Sequence, residues 1–493
     1  MRFSQLCADA RLGRVELSGD AEVRRVAMDS RRVQDGDCFV AVRGTATDGH
    51  RYIASAVAAG CTAVVCEDPT AVPPGIARAV VADTRRAAGP LAQAVLGWPC
   101  RKVRTVGVTG TNGKTTFTYL LRHVLNAAGR KCALLGTIIY DTIARKLPAG
   151  TTTPSPVDLA EMMAEAVQAG AACLVMEVSS HALDQHRTDG IELDVAVFTN
   201  LTGDHLDYHG TMESYLAAKR RLFESLPAAA AAVLNRDDPH ADAVAAATAA
   251  RKLWYGLSPA AEVCARIESI DATGSRFGLR HGGREVPVRT SLIGRHNVVN
   301  CVAAAAAATA LGLELEAIAG ALGEVGCVPG RLERVAVAAP FDVLVDYAHT
   351  DDALQNVLSA LLPIKKGRLI LVFGCGGDRD RSKRPRMARV AESAADHIIV
   401  TSDNPRSEDP MAIIQEIMTG FSERGRQRVL IQPDRRQAIA AALQAASDGD
   451  IVLIAGKGHE NYQSIGGRRI HFDDVETAEE LLRAGKIWYN SSP

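Results

Sequence analysis

Short apolar runs recur along the chain, each followed by glycine or polar residues and then by apolar positions at helical spacing. TVGV (105–108), CLVMEV (173–178), DVAVFTN (194–200) and AAVLN (231–235) are such runs. FDVLVDYAHT, GRLILVFGCGG, ADHIIVTSDNP and DIVLIAGKGHE repeat the pattern in the last third of the chain. Continuous apolar strands alternating with helices predict α/β architecture, with parallel sheets covered by helices on both faces. Helices are predicted over 157–169, 211–225 and 296–312. Residues 256–294 interrupt the alternation with β-like and polar turn segments.

The first part of the chain reads differently. AEVRRVAMDSRRVQDGDCFVAVRG holds short strand patterns around a turn at Asp35-Gly36-Asp37, followed by a helical HRYIASAVAAG and a strand CTAVVCED. GWPC at 97–100 reads as a linker, and a new unit begins near Gly330-Arg331. The 493 residues suit three domains of about 150 residues each. The expected spans are 1–97, 98–330 and 331–493. In open α/β sheets ligands gather at the carboxyl ends of strands, where the distinctive motifs of this chain lie.

Composition narrows the choice. Aromatics are only 4%, so alanine and small aliphatics must fill the cores. The net charge of −1 offers no basic surplus for a nucleic-acid backbone. Eleven cysteines form no C-x-x-C pair and no zinc-spaced cluster, which reads as reduced thiols packed as small apolar residues. The first twenty residues lack a signal-peptide core, and the apolar run 301–313 is too short to span a bilayer. A cytoplasmic protein without membrane insertion is expected.

TGTNGKTT (109–116) carries the clearest chemistry. The usual phosphate loop is G-x-x-x-x-G-K-[ST]. Here the first glycine position is Val108, and the available glycine is Gly110. Strand, glycines, Lys-Thr and helix nonetheless coincide, so Gly110, Thr111, Asn112, Gly113, Lys114, Thr115 and Thr116 form a candidate nucleotide cradle. Lys114 would face the β- and γ-phosphates, and the Thr115 hydroxyl a Mg²⁺ ion. Glu177, ending the strand CLVMEV, is a second candidate Mg²⁺ ligand.

The loop G-T-N-G-K-T resembles that of the Mur ligases and their folylpolyglutamate synthetase relatives. EVSSHALDQHR, FTNLTGDHLDYHG, SYLAAKRRLF, GRHNVVN, GRLERV, DYAHT and DNPRSEDP agree in order and cover nearly the whole chain. The set is most similar to the branch of that family that adds diaminopimelate. The resemblance implies a small N-terminal domain for a uridine nucleotide, a central P-loop ATPase domain and a C-terminal Rossmann-like domain for the incoming amino acid. It implies ATP and Mg²⁺, and a catalytic set of Lys114, Glu177, His205 and Lys219. His205 and Lys219 join Thr115 and Glu177 as metal ligands, with Lys219 carbamylated. A carbamate turns a cation into an anion and needs an unprotonated amine, hence a lysine of lowered pKa.

The resemblance also assigns substrates. UDP-N-acetylmuramoyl-L-alanyl-D-glutamate would contact Ser30 in the first domain, with Arg43 and Gly44 as further contacts, and Thr152, Thr153, Ser179, Gln185 and Arg187 in the second. Thr151 stands where the family often has asparagine. Asn297, Arg331, Asp346 and His349 would hold adenine and ribose. The incoming meso-2,6-diaminopimelate would meet Arg379, Asp403, Asn404, Pro405, Arg406, Gly456 and Glu460, with Arg406 clamping its distal carboxylate. Asp351 replaces the family's proline, which predicts a looser turn. A monomer acting by an acyl phosphate is implied. A lysine- or folate-directed sister ligase and a P-loop motor are the rival readings.

Overall fold

The structure is a computed structural model that describes residues 1–44 and 47–484. Three sheets succeed one another along the chain. The first has five strands in the order Glu16–Ser18, Ala77–Val80, Ala63–Cys66, Asp37–Val40, Arg25–Ala27. Its edge strand Glu16–Ser18 is antiparallel and the other pairings are parallel. The strands on either side of the Asp35-Gly36-Asp37 turn therefore pair side by side, Arg25 opposite Asp37.

The second sheet has eleven strands. Its parallel centre runs Ala231–Asn235, Val195–Phe198, Arg104–Thr109, Cys173–Glu177, Cys132–Leu135. The strand before the phosphate loop lies between two neighbours, so its carboxyl end opens in the middle of the sheet. Residues 256–294 do not interrupt this sheet; they extend it. Val263–Asp271 continues from Arg251–Gly256 in parallel, then Gly274–His281 and Arg284–Thr290 follow as an antiparallel meander. Its alternation of buried and exposed residues is that of a sheet with one solvated face, which explains the polar look of the segment.

The helix Arg295–Ala310 lies in this core, with Val302–Ala308 fully buried. It packs against the helix Lys114–Ala127. Alanine lets two helices approach closely, which reconciles a large core with so few aromatics. All eleven cysteines are free, and all but Cys327 are buried. Among the described residues no helix is long and apolar enough to cross a membrane.

The third sheet has six strands, with Asp342–Asp346, Ile451–Ala455, Leu369–Phe373, His397–Val400 and Val429–Ile431 in parallel and Glu333–Arg334 antiparallel at the edge. A hairpin, Tyr462–Ile465 with Arg468–His471, follows the strand Ile451–Ala455. The turn at Asp351 is not loosened. Thr350 caps the helix Asp351–Leu361, its hydroxyl accepting from the Ala353 N–H, and Asp351 is the first helical residue. Proline and acidic residues both suit that position, and Arg386 holds Asp351 at 2.9 Å.

Arg435 and Asp474 form a fully buried ion pair at 2.7 Å that ties two helices to the end of the strand Ile451–Ala455 through the Ala455 carbonyl. Removing one partner leaves an uncompensated charge. Asp474→Ala is expected to destabilise the third unit by about 3–5 kcal/mol. A fall in its thermal unfolding midpoint checks this, and an unchanged midpoint refutes it.

Candidate functional site

The loop 110–113 leaves the strand Arg104–Thr109 and enters the helix Lys114–Ala127. Gly113 has φ +88°, and a Cβ there would sit 2.5 Å from Asn300 Oδ1. Only glycine fits that conformation against that neighbour. The loop is braced from the strand Val195–Phe198: Thr111 N–H donates to Asn200 O (2.9 Å), Asn112 N–H to Asn200 Oδ1 (2.9 Å), and Thr199 Oγ1 to Asn112 O (2.6 Å).

Two ammonium groups meet at this loop. Lys114 Nζ donates to Gly110 O (2.9 Å) and Thr111 O (2.8 Å), and Lys219 Nζ donates to Gly110 O (2.9 Å). Lys219 comes from the helix Met212–Glu224, is buried, and lies 4.2 Å from the Tyr215 ring centre. Burial pushes both lysines below their ordinary range, Lys219 well below it, and the charge of Lys114 adds to the effect on Lys219.

Glu177 is buried behind the loop. Its carboxylate accepts from Thr115 Oγ1 (3.1 Å), the Thr137 N–H (2.9 Å) and Thr137 Oγ1 (3.0 Å). Arg331 reaches over from the start of the third unit to donate to Thr115 Oγ1 at 3.1 Å. Its Nε is buried without a partner, and its guanidinium carbon lies 4.9 Å from the Tyr347 ring centre. His205 has φ +55°, lies 3.5 Å from Asp204 and meets the His181 ring edge-on at 4.8 Å. The His205 imidazole is half-exposed and pulled two ways, lowered by desolvation and raised by Asp204, with the balance downward. Among the described residues no three His, Cys, Asp or Glu side chains are grouped to hold a metal. A Mg²⁺ ion does not need such a cage, because it keeps waters and takes phosphate oxygens alongside one or two carboxylates. Thr115 and Glu177 fit that donor set.

Two cavities adjoin here. One is walled by the phosphate loop with Thr152, Ser179, Lys219, Arg331 and His349. The other, of about 540 Å³, lies between the first and second units, with Met28, Val42 and Arg85 facing Thr151, Gln185 and Arg187. Thr151 and Thr152 are consecutive in the bend before the helix Pro156–Gln168, so one peptide separates the two spaces. Arg187 grips Gln185 Oε1 (2.6 and 3.1 Å) and the Thr153 carbonyl (2.9 Å).

In the third unit Arg406 adopts φ +54° and donates to Gly377 O at 2.7 Å. Its N–H and carbonyl are bonded to Ser464 and Gly466 of the hairpin. Arg406 and Arg379 flank Gly376. Asn404 Nδ2 donates to Glu460 Oε2 at 2.7 Å, and Gly456 has φ +116°, where a Cβ would lie 2.6 Å from Asp403 Oδ2.

Family models match the chain three times: the Mur ligase family, catalytic domain, over 22–96; the Mur ligase middle domain over 108–308; and the Mur ligase, glutamate ligase domain, over 330–458. The chain is 47% identical to a UDP-N-acetylmuramoyl-L-alanyl-D-glutamate–2,6-diaminopimelate ligase of Geobacter metallireducens, over 94% of each chain. The chain belongs to the Mur ligase family. A ligase of the same name from Geobacillus kaustophilus is 45% identical over 95% of this Mur ligase and 96% of its own length. A solved structure of a ligase with that name matches with a TM-score of 0.67 at 35% identity, over 94% of this chain and 95% of the other.

In this Mur ligase the residues of 110–116 with Thr152, Glu177, Ser179, His205, Lys219, Arg331 and His349 surround one cavity. Others are placed differently. Asn297 is buried with its amide on Ile293 O and Asn300. Asp346 is buried with both oxygens on the Leu332 and Ala348 N–H groups, so it shapes the turn that carries Arg331. Thr153 spends its hydroxyl on Glu177 O and the Ser179 N–H. Ser30 begins the turn Ser30–Arg32, while Arg31 and Arg32 pair with Asp29 and Asp158. Three site residues escaped sequence reasoning: Thr137, Lys457 and Asp352. Asp352 accepts from Asn112 Nδ2 (2.6 Å) and Thr202 Oγ1 (2.9 Å), joining the third unit to the phosphate loop. Thr137 lies in the bend just after the strand Cys132–Leu135, and that nearness to a strand end was its only signal.

Gly113→Ala places a methyl on Asn300 at a positive φ. It is expected to weaken ATP binding by roughly tenfold or more, with the fold retained. Nucleotide titration of the variant checks this, and wild-type affinity refutes it.

Proposed function

We propose that this chain is an ATP-dependent amide ligase that joins meso-2,6-diaminopimelate to UDP-N-acetylmuramoyl-L-alanyl-D-glutamate in cytoplasmic peptidoglycan precursor synthesis. The observation that carries the reading is the pair of adjoining cavities, one ending at a phosphate loop and one between the first two units, with Arg331 of the third unit reaching into the first of them. The near full-length likeness to ligases of that name supports it.

The chemistry follows from charge. The γ-phosphoryl group of ATP passes to the D-glutamate γ-carboxylate, giving an acyl phosphate and ADP. The amine of diaminopimelate attacks the acyl carbon, phosphate leaves, and the amine loses a proton as the amide forms. Both early reactants are anions, so Lys114 and Arg331 lower their repulsion. Bound Mg²⁺, held by Thr115 and Glu177 with His205 and Lys219 as further candidates, supplies charge neutralisation between the phosphates. The protein's work is positioning; no side chain needs to act as nucleophile.

Lys219 is the candidate for carbamylation. Its neutral amine is favoured by burial, and the carbamate would place an anion beside Lys114 at the Gly110 carbonyl. Uridine would lie near Ser30, and the muramoyl dipeptide along Thr152, Thr153, Ser179, Gln185 and Arg187. Adenine and ribose would lie near Arg331 and His349, with Asn297 and Asp346 shaping the walls. Arg406 and Arg379 would take the distal carboxylate of diaminopimelate, with Asp403, Asn404, Pro405, Gly456 and Glu460 around its ammonium. We take the domains as 1–97, 98–330 and 331–493, and the enzyme as a monomer.

Purified protein with ATP, Mg²⁺ and the muramoyl dipeptide nucleotide is expected to release phosphate with meso-diaminopimelate and not with L-lysine. An unpaired Arg406 penalises lysine by roughly 10⁴-fold. Phosphate release without any amino acid would instead favour a motor or switch. Lys219→Ala is expected to lose activity by about a hundredfold or more. Intact-protein mass without acid treatment should show one added CO₂ on the wild type only. A fully active variant sinks the assignment of Lys219.

A further inference from the structure

Lys457 sits between Gly456 and Gly458 after the strand Ile451–Ala455, and its side chain is fully buried. Nζ lies 3.4 Å from Glu460 Oε2, 3.5 Å from Asn404 Oδ1 and 4.0 Å from Asp403 Oδ1. The Ser464 N–H also donates to Asn404 Oδ1 at 2.8 Å. An amide oxygen facing two donors has one workable orientation, which turns Asn404 Nδ2 onto Glu460. The other Glu460 oxygen faces the Tyr347 hydroxyl at 3.5 Å.

The charges around Glu460 can be counted. Asp403 and Glu460 contribute two carboxylates and Lys457 one ammonium. Arg435, packed behind them, is matched by Asp474, and the nearby Tyr347 and Tyr462 are neutral phenols. One negative charge is left over, which is room for one more ammonium group. Arg406, across the hairpin strand, supplies the cation for a carboxylate.

We propose that Lys457 is a positioning residue for the incoming amino acid. It locks Asn404 in one amide orientation and balances two carboxylates so that the site takes the ammonium of a zwitterionic distal end. This rests on the reading of the chain as a diaminopimelate-adding ligase. Electrostatics agree with the geometry. Burial and Asp403 raise the Glu460 carboxyl, while Lys457 and Asn404 pull it down. Without Lys457 the raising causes gain, and Glu460 takes up its proton at a higher pH. A protonated carboxyl cannot pair with an ammonium, so amino-acid binding is present above that pKa and lost as pH falls through it.

The test is kcat/KM for diaminopimelate across pH in Lys457→Met. At neutral pH the KM for diaminopimelate is expected to rise roughly tenfold to a hundredfold, as for loss of a charge-assisted bond. The acid limb of its profile is expected to move up by about one pH unit. KM for ATP and for the nucleotide sugar should stay within about twofold, since neither touches this cluster. In a Glu460→Gln background, adding Lys457→Met should move the acid limb no further. A wild-type acid limb in Lys457→Met, or equal loss for all three substrates, overturns the proposal. If the methionine variant does not fold, Lys457→Gln keeps hydrogen-bond donors without charge and carries the same expectation. Wild-type protein without diaminopimelate-dependent phosphate release would instead overturn the functional reading, and this proposal with it.

Discussion

Two lysine amino groups, Lys219 buried and Lys114 partly so, converge on one carbonyl oxygen, that of Gly110, each at 2.9 Å. A single neutral acceptor does not offset positive charge on either amine in so desolvated a place. The arrangement makes sense as half of a complex whose other half is anionic. Much of the surrounding structure serves to hold it. Glycines let the backbone turn tightly enough to present that carbonyl and the loop N–H groups together. Thr199 and Asn200 brace the loop from the next strand, and Asn300 fills the space beside Gly113. The alanine-rich helix that bears Asn300 can lie against the loop helix because its side chains are small.

The same constraint explains the joints between units. An acyl phosphate formed on the nucleotide sugar is useful only if the amine meets it before water does. Arg331 reaches Thr115 at 3.1 Å, and Asp352 reaches Asn112 at 2.6 Å, so the third unit touches the phosphate loop at two points. Arg32 joins the first unit to the second through Asp158 at 2.8 Å. These are polar and mostly half-exposed contacts, weaker than a core and suited to surfaces that must part for substrates. The buried turn at Asp346, whose carboxylate accepts from the Leu332 and Ala348 N–H groups, holds Arg331 at the junction.

The alternation of apolar runs and helical spacings revealed the strands of the second and third sheets, because fully buried parallel strands must be apolar throughout. The meander over 263–290 does break the strand–helix alternation, as its β-like and polar turn segments indicate, while its place as an extension of the same sheet rests on pairings between strands. The phosphate loop and Glu177 were legible because both sit at strand ends. Asn297, Asp346 and Thr153 illustrate the opposite case: a motif marks a residue's neighbourhood, but which way its side chain is spent depends on backbone groups far away in sequence. Asp352 and Lys457 were invisible for a related reason. Each acts on residues more than fifty positions away, and no local pattern encodes that meeting.

Arg406 shows how the third unit reconciles strain with recognition. A non-glycine residue at φ +54° is costly, and such positions persist only where neighbours over-determine them. Here the hairpin does so: Ser464 O accepts from the Arg406 N–H at 2.9 Å, and the Gly466 N–H donates to the Arg406 carbonyl at 2.8 Å. With its backbone fixed at both ends, the side chain is aimed past Gly376, where no Cβ stands in the way. The same hairpin supplies Ser464 N–H to Asn404, so one element sets both the guanidinium and the amide. The guanidinium and the amide are thereby positioned by the same hairpin.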